Sequence, residues 1–402
     1  MSNIVIEQPT SRQLMLQVSV ATLSRLFLNT SRRFGYLYIP ALSQGLGVTP
    51  TAFSSLLAVN QFTGIFSPLF GPLSDRWGYR VMMIVGLGLM AVGMTAGGLL
   101  PLYGVILLAL FLAGLGKSIF DPALQAYVGQ YVPYRRRGLF IGIIEFAWAG
   151  STLVGVPLVG QLIETLGWRA PFFVLGGAGL LGAAMIGLLI PARPSMATGH
   201  IITTINFGQA WQQLRRSPAA LGALGFGFLA SMANDNLFVT LSLWLDTFEL
   251  SVSAVGSVAI VIGVAELIGE LGTASIADSF GLKRSVILGI AFAALAYLLL
   301  PLIGLTVPLA LMTLFLLFLL FEFGFVTSIS LSTEILPDAR GTMMSTLVAT
   351  VSLGRVAGTL LGGPLWQLGG LWLVVAMSST LTGLGLISLA WGLRHWQAQQ
   401  SA

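Results

Sequence analysis

The sequence predicts an all-α integral membrane protein of twelve transmembrane helices, arranged as two six-helix bundles. Three observations lead there. Of 402 residues, 56% are hydrophobic and only 8% are charged, about a third of the charge usual in a soluble globular chain. The apolar residues fall into twelve stretches, each near the roughly 20 residues that cross a bilayer. The two halves of the chain also repeat one another in outline. So much apolar surface excludes a soluble enzyme and a disordered chain. It also removes nucleic acid as the explanation of a pI near 9.8.

In chain order the expected spans are 17–42, 50–72, 80–99, 102–129, 138–163, 170–191, 219–245, 253–275, 284–302, 306–333, 342–364 and 370–393. Most connections are a few residues long, as suits antiparallel neighbours. The exception is the polar segment 192–218 with Trp211, Arg215 and Arg216, which reads as a linker between residues 1–191 and 219–402. The N-terminus is polar through Gln17 and then enters a long first span, so a removed signal peptide is not expected and the span is expected to be retained. The 49 glycines suit close helix–helix approach in lipid. The chain has no cysteine, which excludes a disulfide framework and thiolate metal sites.

Loop charge sets the expected orientation. With the N-terminus, the even-to-odd loops and the C-terminus on one side, that side carries thirteen of the nineteen Lys and Arg residues, from Arg12 to Arg394. The other side carries only Arg169. Both termini and the linker are therefore expected in the cytoplasm, in a multi-pass inner-membrane protein, and the basic pI follows from this asymmetry.

The repeat is visible in the loops. Gly71-Pro-Leu-Ser-Asp75-Arg76-Trp-Gly78-Tyr-Arg80 follows span two, and Gly272 to Arg284, containing Asp278 and Gly281, follows span eight. Pro133 to Gly138 enters span five as Pro337 to Gly341 enters span eleven. On these residues the chain resembles the major facilitator superfamily along essentially its whole length. Gly71 to Arg80 matches that family's G-x-L-(A/S)-D-R-x-G-R-(R/K) signature, with Tyr79 where a base is common. Span five carries Gly150, Gly155, Pro157 and Gly160, similar to the antiporter motif of drug:proton exchangers, although Val156 separates Gly155 from Pro157. Leu110 stands four residues before Gly114, where many such exporters have an arginine. The resemblance implies alternating access between the halves, with span one lining the cavity. The signature loop is expected to act as a gate: the Asp75 carboxylate would meet the dipole of span eleven at Gly341–Thr342, and Asp278 would meet span five at Gly138.

Charge inside the spans is costly, so each such residue is a functional candidate. The bases are Arg25, Arg32, Arg33, Lys117 and Arg355; the acids are Asp121, Glu145, Asp235, Glu266, Glu270 and Glu322. Arg25, Asn29, Arg32 and Tyr36 recur at helical spacing and form one stripe on span one. Ser345, Ser352, Arg355 and Thr359 form another on span eleven. Lys117 and Asp121 stand one turn apart with opposite signs, in reach of an ion pair that serves either structure or transport. Glu266 and Glu270, one turn apart and alike in sign, would hold one proton between them near neutral pH, which suits proton coupling; Glu266 is the deeper. Asp235 sits among polar neighbours in span seven and Glu145 beside the span-five glycines. Glu322 is set lower, because span ten is expected to pack rather than line a path.

Gly354, Gly358 and Gly362, every fourth residue, are expected to serve close packing, as are Gly150, Gly155 and Gly160 against span eight. Phe62, Trp148, Trp244 and Phe323 are expected to suit an apolar substrate body. Gly116-Lys117-Ser118 lacks the glycine that would open a phosphate loop, and both histidines lie in loops, so no metal, cofactor or catalytic centre is expected. The reading is a secondary active transporter, a proton-coupled exporter of amphipathic or hydrophobic small molecules acting as a monomer. A symporter or a lipid or sugar transporter is the alternative; a membrane receptor or enzyme lacks residues to support it.

Overall fold

The computed structural model describes residues 11–132, 137–191, 207–336 and 340–396. Among these, every regular element is helical. They are α1 (Ser11–Leu37), α2 (Ile39–Leu46), α3 (Pro50–Phe62), α4 (Ser67–Trp77), α5 (Tyr79–Leu99), α6 (Tyr103–Tyr131), α7 (Arg137–Gly150), α8 (Val156–Leu166), α9 (Ala170–Leu189), α10 (Phe207–Arg216), α11 (Pro218–Asp246), α12 (Val252–Gly272), α13 (Asp278–Phe280), α14 (Leu282–Ile303), α15 (Val307–Ile335) and α16 (Arg340–Gly392). Most of the linker 192–218 lies outside the described residues, with α10 as its described part.

Among the described residues eight helices are long and apolar enough to cross a membrane, fewer than the twelve expected. The difference has local causes. α16 holds the expected spans eleven and twelve as two helices joined directly at a kink, where Gly369 and Gly370 leave helical geometry, so they count as one. The expected second span is divided into α3 and α4 by a tighter 3₁₀ turn at Thr63–Phe66. α1 carries Arg25, Arg32 and Arg33, and α11 holds the polar run Ser231 to Asn236.

Starts and stops follow from sequence. Thr49, Ser217 and Ser251 accept backbone N–H bonds at the heads of α3, α11 and α12, and Pro50 and Pro218 follow two of these caps at the first helical position. The two loop repeats share a backbone device. Gly78 has φ +87° and Gly281 φ +93°, a region that disfavours side chains, so each glycine ends one helix and starts the next. The following bases also correspond. Arg80 donates to Gly187 O near the end of α9, and Lys283 Nζ donates to Leu393 O, just past the end of α16, at 2.9 Å. In both halves a cation thus answers late helix carbonyls and the negative dipole end.

Span five is wound wider at its centre. Pro157 has no N–H to return to the preceding turn, and Ser151–Gly155 forms a π-helical stretch between α7 and α8. Gly150 and Gly155 there pack against α1, while Gly160 sits between Tyr38 and the head of span eight at Val252. A Cβ on Gly150 would lie 3.1 Å from Leu26, and one on Gly155 or Gly160 would strike Thr30 or Tyr38. Span eight approaches by its own glycines, Gly263 against Leu153 and Gly256 against Pro157. The stripe Gly354, Gly358 and Gly362 lets α16 lie directly on the α11 backbone at Phe228, Met232 and Asn236. α9 exposes Leu180, Leu181 and Leu188, a face suited to lipid.

Candidate functional site

A cavity of about 1660 Å³ lies between the helices before residue 192 and those after it. Its inner end is walled by Tyr36, Phe238 and Phe318. From there it runs to Ser19 and Thr22 on α1, Ser67 and Pro68 on α4, Thr273 beyond α12, Ser330 on α15 and Ser345 on α16. It therefore reaches the end of the molecule where α1 begins. The opposite end is joined across the halves. Ser253 N–H donates to Glu164 Oε2 at 2.7 Å, and Gln367 Nε2 donates to Thr51 Oγ1 at 2.9 Å.

Three charge groups line this cavity. In the first, Arg25 donates to Asp121 Oδ1 at 3.1 Å, to Glu145 Oε1 at 3.0 Å and to Ile144 O at 2.9 Å. Lys117 Nζ donates to the other oxygen of Asp121 at 2.5 Å. Two cations and two carboxylates balance here.

In the second, Arg33 pairs with Glu266, whose other oxygen accepts from Thr152 Oγ1 at 3.1 Å. Both partners are buried, with side chains 8% and 3% exposed. Glu270 and Glu322 share the electrostatic field of Glu266 and Arg33. Among the described residues neither makes an ion pair or a hydrogen bond. Glu266 and Glu270, expected to act on one another, do so here, but not in isolation: α1 brings Arg33 to Glu266, and Glu322 lies in the same field. Span ten lines the cavity, contrary to the lower place given to Glu322, because Gly269 lets α12 close onto α15 at Glu322 itself.

The third group is a relay across the halves. Arg32 donates to Gln61 Oε1, at 2.8 Å from Nε. Gln61 Nε2 donates to Tyr36 Oη at 2.7 Å, and Tyr36 Oη donates to Asp235 Oδ1 at 2.9 Å and contacts Thr359 Oγ1 at 3.2 Å. Arg355 Nε stands 3.9 Å from Asp235 Oδ2. Trp148 sits among cations, with Arg33 4.3 Å, Arg355 5.6 Å and Lys117 5.9 Å from its ring centre.

Of the span-one stripe, Arg25, Arg32 and Tyr36 line the cavity, and Asn29 does not. Asn29 turns to α7, where Nδ2 donates to Ala147 O at 3.0 Å; it ties two helices together. Ser345, Ser352 and Arg355 line the cavity from α16. Of the four aromatics expected to meet substrate, only Trp148 lines it. Phe62 faces outward, Trp244 is buried near Gly304, and Phe323 packs on Gly289. Phe238, Phe318, Phe321 and Phe325 take their place on the cavity wall. Arg33 was one of five intramembrane bases in the sequence, but the stripe drew attention to Arg32 beside it. In the signature loop, Arg76 is exposed and Gly78 and Arg80 act as described above. The side chains of Asp75 and Asp278, and with them the contacts expected at Gly138 and Gly341, lie outside what the structure describes.

An all-helical membrane chain with a charged central cavity between two sets of helices is the architecture of a transporter. The chain belongs to the Major Facilitator Superfamily, whose family model matches residues 21–359 and again 226–396. Its relatives include the uncharacterized MFS-type transporter YceJ of Bacillus subtilis, 27% identical over 75% of this chain and 77% of that protein. A multi-drug resistance efflux pump PmrA homolog of Lactococcus lactis is 24% identical over 68% of this chain and 69% of that one. The chromaffin granule amine transporter of Rattus norvegicus is 30% identical over 45% of this chain, but over only 34% of its own length. The fold is also that of a bacterial homolog of the lysosomal transporter Spinster, solved inward-facing and unoccupied. That structure has TM-score 0.74 and 14% identity, covering 96% of each chain.

Proposed function

We propose that this MFS transporter is a proton-coupled antiporter that exports amphipathic or hydrophobic small molecules by alternating access. Residues 1–191 and 219–402 would act as two rocking bundles of six spans, the polar segment between them as their linker. Both termini would lie in the cytoplasm of the inner membrane, so the open cavity is the inward-facing state. The observation that carries the coupling is that Glu270 and Glu322, two intramembrane carboxylates on the cavity wall, have no cation or donor bound to either among the described residues. Protonation there would remove two unpaired charges, favouring closure of the cavity around a dry carboxyl pair. The antiporter-like stretch Gly150 to Gly160 supports exchange, as does the efflux-pump relative. The gate of Asp75 and Asp278 would form when the cytoplasmic end closes, opposite the clamp now seen at Glu164–Ser253.

The test is transport by purified protein in proteoliposomes, with ethidium, rhodamine 6G and 4-phenylbutyrate as probes. At least one probe is expected to accumulate against its gradient when protons flow the other way. Glu270→Gln and Glu322→Gln are expected to abolish that accumulation while gradient-free counterflow continues. Accumulation driven by protons moving in the same direction as the probe would make the protein a symporter and overturn the proposal. So would accumulation that both variants retain.

A further inference from the structure

The inner end of the cavity has a surplus of hydrogen-bond donors. Arg355 lines the cavity with its side chain 19% exposed, and among the described residues it donates no hydrogen bond. Its nearest carboxylate, Asp235, is 3.9 Å away, beyond hydrogen-bonding distance, and already accepts from Tyr36. A guanidinium carries five N–H donors in a planar fork, and none of them has a hydrogen-bond acceptor among the described residues.

Arg32 is the facing group. Its partner is a neutral amide, Gln61, and its strongest charge–charge interaction is with the like charge of Arg355. The two arginines come from opposite halves and converge where Gly64 meets Ser352, one turn before Arg355. Ser231, 2% exposed and on the cavity wall, has a buried hydroxyl with no partner. Nη1 of the buried Arg33 is likewise without a partner.

Most of the carboxylates, by contrast, are occupied. Asp121 and Glu145 answer Arg25 and Lys117, Glu266 answers Arg33, and Asp235 holds Tyr36. The two free carboxylates, Glu270 and Glu322, lie beyond Glu266 toward the open end. Among the described residues Asp235 is the one carboxylate near both guanidiniums, and at 3.9 Å it leaves the fork of Arg355 without a hydrogen bond, a costly arrangement for two like charges that have lost water. A bidentate oxyanion satisfies the fork of Arg355 and the free edge of Arg32 together. It would also close the chain Arg32–Gln61–Tyr36–Asp235–Arg355 into a ring.

We infer that the transported substrate is an amphipathic organic anion, whose carboxylate bridges Arg32 and Arg355 and whose apolar body lies along Phe318, Phe321 and Phe325. This rests on the transport reading above and adds the substrate's charge and the place of its head group. Arg32 belongs to the first half, and Arg355 with the apolar wall of α15 to the second, so the head group bridges the two halves. Binding then draws the halves together.

Three isosteric probes separate the possibilities: 4-phenylbutyrate, 4-phenylbutanamide and 4-phenylbutylamine, each added to purified protein in a thermal-shift titration. The carboxylate is expected to raise the melting temperature in a saturable manner; the amide and the amine are expected to do so at least tenfold more weakly. Arg355→Gln and Arg32→Gln are each expected to weaken the carboxylate at least tenfold, and Arg355→Lys to weaken it less. The three-probe comparison uses the unaltered protein, so it decides the matter even where a variant fails to fold. Stabilisation by the amine equal to or greater than that by the carboxylate overturns the inference. Equal effects of all three probes, or none from any, also overturn it. Proton-driven transport of ethidium without carboxylate binding would leave the antiporter standing and remove only the anion site. Carboxylate binding without any gradient-driven transport would do the reverse.

Discussion

Arg33 and Glu266 meet across 233 positions of sequence in a place almost without water. The pair is an arrangement that is costly to break from one side. Removing one member of a buried ion pair typically costs about 3–5 kcal/mol, since the other charge is left uncompensated. Glu266→Gln is therefore expected to lower thermal stability sharply, although the substitution is nearly isosteric. Replacing both partners by apolar residues, as in Arg33→Met with Glu266→Leu, is expected to recover most of the loss in the same melting assay. If the double variant melts no higher than the single one, the pair is not the source of the effect. Arg33 was visible in the sequence only as one intramembrane base among five. Helical spacing assigns a residue to a face of its own helix, but says nothing about which acid another helix presents to it.

At the scale of elements, the close approach of α16 to α11 depends on glycines at every fourth position. A Cβ at Gly354 or Gly358 would run into the carbonyl oxygens of Phe228 or Met232. Backbone cannot move aside as a flexible side chain can. Gly354→Ala and Gly358→Ala are each expected to destabilise by about 1–3 kcal/mol, the range for overpacking a close interface. The measurement is a melting curve in detergent, with Gly383→Ala as the control, because nothing lies within 4 Å of a Cβ there. A melting curve for Gly358→Ala that matches the control would show the helices free to separate. The stripe itself was legible from spacing alone. Its counterpart in span five was legible as a packing face but only in part in its partner: Gly150 and Gly155 approach α1, Gly160 meets Tyr38 and Val252 at the head of α12, and Gly256 and Gly263 of α12 supply the rest of the contact with span eight. A small-residue row predicts closeness without naming the neighbour.

For the whole molecule, the closed end is the part that must open if substrate is to leave. Thr51 and Gly363 face one another there from opposite halves, and a Cβ on Gly363 would lie 3.6 Å from the Cβ of Thr51. That separation lies within the roughly 3.5–4.5 Å typical of disulfide-bonded Cβ atoms. The chain has no cysteine of its own, so Thr51→Cys with Gly363→Cys introduces a single defined pair. Oxidation is expected to cross-link it, stop transport and trap the cavity open at the other end; reductant is expected to restore transport. Either single variant should respond to neither treatment. Full transport by the cross-linked protein would show that this end does not need to part.

The sequence by itself determined the solvent, the helical class, the repeat of the signature loop and the set of charges that had to be explained. These follow from composition, from period and from the cost of placing charge in lipid, all properties of residues taken one helix at a time. Only the tertiary structure decided which charges answer one another. It paired Arg33 with Glu266, left Glu270 and Glu322 without an ion pair among the described residues, turned Asn29 away from the cavity and set Arg32 and Arg355 near one another beside Asp235. Pairing in a low-dielectric interior depends on distances of a few ångströms between separate helices, and helical periodicity carries no information about those distances.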